Sequence, residues 1–87
     1  MNVRLSAAAI LTIDSALTVR RLRSQRAAER LAAQVDEAVV SLSAFPLRGR
    51  AGPVEGTREI PVRQTPYILV YVIADGVVTV VRIRHVS

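Results

Sequence analysis

The pair Asp75-Gly76 lies between two aliphatic runs, YILVYVIA (67–74) and VVTVVRIR (77–84). Asp-Gly supplies the positive-φ residues of a two-residue hairpin, and the β-branched residues on either side supply its strands. An antiparallel pair at the C-terminal end is therefore the most constrained element of the fold. The rest of the chain must cover the apolar surface that this pair leaves. Side chains alternate along a strand, so the last strand divides into Val77, Thr79, Val81 and Ile83 on one face and Val78, Val80, Arg82 and Arg84 on the other. The first set reads as the core face. A further strand-like run precedes the hairpin, Thr57 to Val62, with Pro61 marking an edge or bulged position.

Upstream the period changes from two to that of a helix. Ala28, Leu31, Val35, Ala38, Leu42 and Phe45 follow at steps of three and four, one face of a helix that Pro46 ends. Ser24 stands where the N-cap of that helix would stand. Before it, Ile10, Ile13 and Leu17 form a shorter stripe behind Ser6, a second N-cap position. The stripe lapses in RRLRSQR (20–26), so residues 6 to 45 read as two helices in an antiparallel hairpin. One bent helix is the competing reading, because no Gly or Pro marks the break. LRGRAGPVEG (47–56) is a loop by its three glycines and proline, and Val3 to Leu5 suit a short strand. The expected fold is α+β: a short N-terminal strand, a two-helix hairpin, then a three-stranded antiparallel sheet, forming one domain over residues 1–87.

Composition narrows the chemistry. Cysteine is absent, which removes disulfides, thiol nucleophiles and cysteine metal sites and fits a cytosolic setting. One histidine without cysteine makes a metal centre improbable. No phosphate loop is present, since GRAG lacks the lysine and the spacing, and no cofactor is implied. The stretch Leu5–Ile13 is too short and too interrupted by Asp14 for a leader, and the run from Tyr67 to Val81 is too short to span a bilayer. All twelve basic residues are arginine and the net charge is +5. That balance points to an acidic partner, and Arg forks carboxylates and phosphates with two parallel hydrogen bonds.

FPLRGRAG (45–52), GTREI (56–60), TPYILVY (65–71) and VVRIRH (80–85), in that order and on those elements, resemble the RelE/ParE toxin superfamily of bacterial type II toxin–antitoxin systems. The resemblance covers residues 24 to 85 well and the first helix poorly. It implies a small cytoplasmic toxin held inactive in a hetero-oligomer with an acidic antitoxin. The antitoxin's apolar side would lie on the helix–sheet groove, and its carboxylates would meet arginines. ParE-like members poison DNA gyrase by protein binding. RelE-like members cut mRNA on the ribosome with a cluster of basic residues, often with a C-terminal tyrosine.

RNA cleavage by that route needs a base for the 2′-hydroxyl, cations for the phosphate and an acid for the leaving oxygen. Arg63 matches a basic position of the ribonuclease members, His85 could act as acid or base, and Arg58 is a third candidate. Glu59 and Pro61 stand where those enzymes tend to carry lysines, and no basic or tyrosine-bearing tail follows Ser87. The resemblance therefore leans to the ParE-like, non-enzymatic side. The ribonuclease, and a degenerate toxin that only binds antitoxin, are the alternatives. On the ParE-like reading Arg58, Arg63, Arg82 and Arg84 are candidates for partner binding. Structural roles compete with these: Arg58 pairing with Glu55 or Asp36, Arg82 and Arg84 as a solvated strand face, His85 exposed or packed near the chain end. Tyr67 and Tyr71 read as core or rim residues with hydroxyls reaching solvent.

Overall fold

The computed structural model describes residues 1–87. The elements run β1 (Asn2–Leu5), α1 (Ala7–Arg23), α2 (Gln25–Ala44), β2 (Arg50–Ala51), β3 (Arg58–Pro61), β4 (Tyr67–Ala74) and β5 (Val77–His85). The α+β class and the order of elements are as the sequence predicts. The sheet is larger: five strands in the order β1-β5-β4-β3-β2. β1 joins it beside β5, with Asn2 to Leu5 opposite Val77 to Val80 in parallel. Parallel neighbours need a long connection, and here almost the whole chain separates the two strands. β2 adds two residues opposite Arg58 and Glu59, inside the segment expected as loop. Two residues are too few to show a period.

The two helices are distinct and break at one residue. Ser24 is extended (φ −166°, ψ 149°); its N–H closes α1 on the Arg20 carbonyl, and its Oγ accepts from Ala27 N–H at 3.0 Å to cap α2. One serine thus serves as stop and start without Gly or Pro. Ser6 caps α1 in the same way, accepting from Ala9 N–H at 3.0 Å. Ala28, Leu31, Val35, Ala38 and Leu42 of α2 are buried, as their spacing predicts. Phe45 is not: the helix stops at Ala44, Phe45 leaves helical geometry, and its side chain is 68% exposed. In α1 the buried positions are Ala9 and Ala16, with Ile13 and Leu17 partly covered and Ile10 exposed. Short alanine side chains let this helix approach the sheet closely.

The hairpin forms around Asp75 (φ 54°) and Gly76 (φ 74°). It contains one irregularity that inverts the face expected to be buried. Tyr71 opposes Val80, but Val70 opposes Arg82, so Val81 is an extra residue in β5. A bulge switches the alternation on its own strand. Val78 and Val80 before it and Ile83 after it share the core face, whereas Val77, Thr79 and Val81 are only partly buried. The expected face of Val77, Thr79, Val81 and Ile83 is thus corrected in all but Ile83. Arg82 and Arg84 move to the opposite side from Val78 and Val80. One core joins Leu31, Val35 and Leu42 of α2 to Ile60, Val62, Leu69, Tyr71, Val78, Val80 and Ile83.

Candidate functional site

The helices pack on one face of the sheet only, and the other face gathers much of the strand charge. Cross-strand register sets Arg82, Val70, Glu59 and Arg50 in one row on that face, across β5, β4, β3 and β2. Arg84, Ile68 and Pro61 form the next row, and Arg4, Thr79 and Val72 another. Glu59 is only 3% exposed and is the one charged residue that is buried. Arg84 holds it in a fork: Nε donates to Oε2 at 3.2 Å and Nη2 to Oε1 at 3.1 Å. Arg50 Nη2 stands 3.6 Å from Oε1 on the other side. A carboxylate is expensive to bury unless it is paired and its oxygens are bonded, and here both oxygens accept. The Arg84 hydrogen bond holds the Glu59 carboxyl below its ordinary range against the opposing pull of burial, and the charges of Arg84 and Arg50 reinforce it. The same bond raises Arg84 above its ordinary value.

Ile68 and Val70 are buried on this face although they lie outside the core cluster. With no helix above them, their cover is the neighbouring long side chains, whose aliphatic stems shield apolar surface while the heads stay polar. A cleft of about 250 Å³ opens beside Glu59, lined by Arg48, Arg50, Ile60, Pro61 and Ile68.

Arg58 lies on the other side of β3 and has a structural task. Its Nη1 donates to the carbonyls of Leu47 (3.3 Å) and Gly49 (2.8 Å), not to Glu55 or Asp36. Tyr71 secures the same segment from within: its hydroxyl donates to the Pro46 carbonyl at 2.7 Å and accepts from Gly49 N–H at 2.9 Å. The Tyr71 hydroxyl therefore does not reach solvent, and the ring is fully buried. A Cβ on Gly49 would meet that hydroxyl at 2.5 Å, so the close approach requires glycine.

Arg63 follows β3 in the turn toward β4 and points to α2, where Nη1 donates to Glu37 Oε1 at 3.3 Å. Both partners are well exposed, at 71% and 57%. His85 is exposed at the end of β5. It packs edge-on against Tyr67 (5.4 Å between centroids, 82°), and its Nδ1 accepts from Ser87 N–H at 3.2 Å. Arg20 stands over the Tyr67 ring at 5.8 Å. By register His85 shares the helix side of the sheet with Tyr67, Leu69 and Ile83, opposite Arg82 and Arg84. The residues singled out from sequence are thus divided: Arg82 and Arg84 on the open face, Arg58 bracing a loop, Arg63 on α2, and His85 beside Tyr67. No group of three or more His, Asp or Glu side chains gathers where a metal could bind.

Sequence reasoning missed the role of Glu59. Strict alternation from the Asp75-Gly76 turn places Arg84 across from Tyr67, on the wrong face to reach Glu59. The bulge moves Arg84 opposite Ile68 and onto the face of Glu59. The available signal was Glu59 itself, a lone acid in strands that carry five arginines.

The model of the family described as the ParE toxin of type II toxin–antitoxin systems, parDE, matches residues 3–87. Toxin RelE2 of Caulobacter vibrioides is 42% identical over 64 residues, spanning 74% of this chain and 70% of that protein. A chain from the chromosomal ParDE TA system of P. aeruginosa superposes with a TM-score of 0.91 at 18% identity, covering 100% of this chain and 97% of that one. A chain of the toxin–antitoxin complex RelBE2 from Mycobacterium tuberculosis gives a TM-score of 0.66 at 29% identity over 97% and 88%. The 18% match speaks to fold alone; the family match covers nearly the whole sequence, and with it the open arginine face and both helices. The chain belongs to the ParE toxin family of type II toxin–antitoxin systems.

Proposed function

We propose that this chain, as a single cytoplasmic toxin domain, arrests growth by binding DNA gyrase, and that an acidic antitoxin neutralises it. The observation that carries the choice of a protein target is the division of the ribonuclease candidates. A cleavage site must bring a base, phosphate-binding cations and an acid to one scissile bond. Here Arg58 is spent on the carbonyls of Leu47 and Gly49, Arg63 engages Glu37, and His85 packs edge-on against Tyr67. What is left is a broad cationic surface, suited to carboxylate-bearing protein partners. Arg82, with Arg84 and Arg50 behind it, is the centre of that surface; Arg63 is at its rim, and Arg58 holds the loop that carries Arg48 and Arg50. The antitoxin follows from the same charge balance and from the ParDE and RelBE2 complexes that the fold resembles.

Purified toxin is expected to inhibit supercoiling by gyrase, and its induction to trigger the SOS response with mRNA left intact. Unimpaired supercoiling would overturn the reading. The second reading is a ribosome-dependent mRNA endonuclease, which the identity to Toxin RelE2 favours. It requires cuts in translated transcripts that Arg63→Ala or His85→Ala removes.

A further inference from the structure

The fork of Arg84 has the geometry with which a guanidinium binds a phosphate as readily as a carboxylate. In this protein a carboxylate from the next-but-one strand already fills it. Glu59 lies in the sheet at the foot of the fork, bonded through both oxygens, with Arg50 against the same oxygen that Nη2 of Arg84 reaches. Stability alone does not call for this arrangement. Apolar side chains of similar volume commonly serve a protein interior as well as a buried ion pair does, and Ile68 and Val70 beside it show that this face accepts them.

The strands contain five arginines, Arg4, Arg50, Arg58, Arg82 and Arg84, and a single acid, Glu59. Arg48 borders the cleft at Glu59 together with Arg50. Without that acid the open face would present Arg4, Arg48, Arg50, Arg82 and Arg84 with no negative charge among them. Such a surface binds the phosphates of any nucleic acid by releasing counterions, without regard to sequence.

We infer that Glu59 is a resident anion that closes the helix-free sheet face to nucleic-acid phosphates, making it a specificity determinant of the toxin. The carboxylate satisfies Arg84 from inside the protein and engages Arg50, so an incoming phosphate must displace a tethered, pre-organised competitor. A partner that reads Arg82 and the outer arginines singly is not excluded in this way. The inference rests on the reading that this face meets a protein and not RNA, though not on that protein being gyrase.

The test is binding of a fluorescent oligo-uridylate to the full chain across a salt series. Glu59→Gln is expected to bind at least about tenfold more tightly than the wild type. Its log–log salt dependence should steepen by roughly 1.4, two added phosphate contacts at about 0.7 each. Glu55→Gln makes the same change in net charge in the exposed loop and is expected to leave the slope near that of the wild type. Equal affinity of Glu59→Gln and wild type overturns the inference, as does an equal gain in Glu55→Gln or a gain that survives undiminished in Glu59→Gln/Arg84→Gln, where only Arg50 is still freed. If Glu59→Gln does not fold, the wild type still decides the matter through its arginine Nε–H resonances during titration with inorganic pyrophosphate. The Arg82 signal should move and the Arg84 signal should stay; a concerted shift of both overturns the inference. A supercoiling assay that fails while these outcomes hold would remove gyrase as the target and leave the role of Glu59 in place.

Discussion

The two faces of the sheet bury apolar residues by different means. On the helix side Leu69, Tyr71, Val78, Val80 and Ile83 share one apolar core with Leu31, Val35 and Leu42. On the other side Ile68 and Val70 lie beside Glu59 and the arginines that engage it. The first face draws its stability from area removed from water, which is indifferent to pH and salt. The second depends on an ion pair whose worth changes with both. The contrast explains how the sheet stays compact although its strands carry five arginines: four of them, Arg4, Arg50, Arg82 and Arg84, and the one acid, Glu59, stand on the face that no helix covers.

The sharpest break of the comparison is a cavity in the first face. Leu69 is fully buried opposite Ile60 and Ile83. Leu69→Ala is expected to cost about 3 kcal/mol by chemical denaturation. The loss should be the same at pH 5 and pH 8 and at low and high salt. A salt-dependent loss would mean that the two faces are not energetically separate.

On the second face the matching change is Arg84→Met, which keeps the stem and removes the fork. It leaves Glu59 buried with only the longer contact to Arg50, and about 2 kcal/mol should be lost near neutral pH. The double variant Glu59→Gln/Arg84→Met should recover part of that loss, giving a coupling energy above about 1 kcal/mol. The pH response separates the mechanisms further. In the wild type the Glu59 carboxyl lies below its ordinary value of 4.5, so its contribution is complete above that pH. It is lost as pH falls through the lower folded-state value. In Arg84→Met, burial dominates and raises the carboxyl, so acidification toward pH 5 should restore stability. Opposite slopes in that window are the expected result; parallel slopes would show that Arg84 does not set the state of Glu59.

These two faces were unequally legible. The helix side was readable from spacing: five of the six residues in the α2 stripe are buried, and the Asp75-Gly76 turn is where its chemistry demands. Phe45 failed because the helix ended one residue too soon to bring it round. The open side depended on Val81, a residue no different in type from its neighbours, whose bulge reverses the faces of β5. A bulge arises from the competition of whole strands for their best packing, which no local signal in VVTVVRIR expresses. β1 was readable as a strand, but its parallel place beside β5 is a property of the complete fold. The toxin family was legible from motif order; the split of its arginines between structural and exposed roles was not, because it turns on which carboxylate or carbonyl each one reaches.

A smaller effect belongs to the junction of the helix side with the arginine-bearing loop. Tyr71→Phe keeps the buried ring but removes the hydroxyl between Pro46 O and Gly49 N–H. An orphaned buried N–H and a lost acceptor pairing should cost about 1.5 kcal/mol. Amide exchange at Gly49 should quicken by more than at residues of the central strands. Equal acceleration across β4 would place the loss in the core instead of the loop.

The least costly change sharpens the comparison from outside both faces. Arg63 and Glu37 form a pair open to water on both sides, and such pairs contribute little because solvent and salt screen them. Arg63→Ala should lower stability by less than about 0.5 kcal/mol, within the range of ordinary surface substitutions. Because folding is untouched, any effect on binding reports a contact of the arginine with a partner. A cation at the rim acts mainly by steering encounter, so association with an acidic antitoxin should slow a few-fold at low salt and the difference should vanish at high salt. A slower dissociation phase or an unchanged association rate would remove Arg63 from the antitoxin surface. Arg84→Met should behave otherwise: its effect should shrink at high salt without vanishing, because the charge it disturbs is buried and screened much less than an exposed pair.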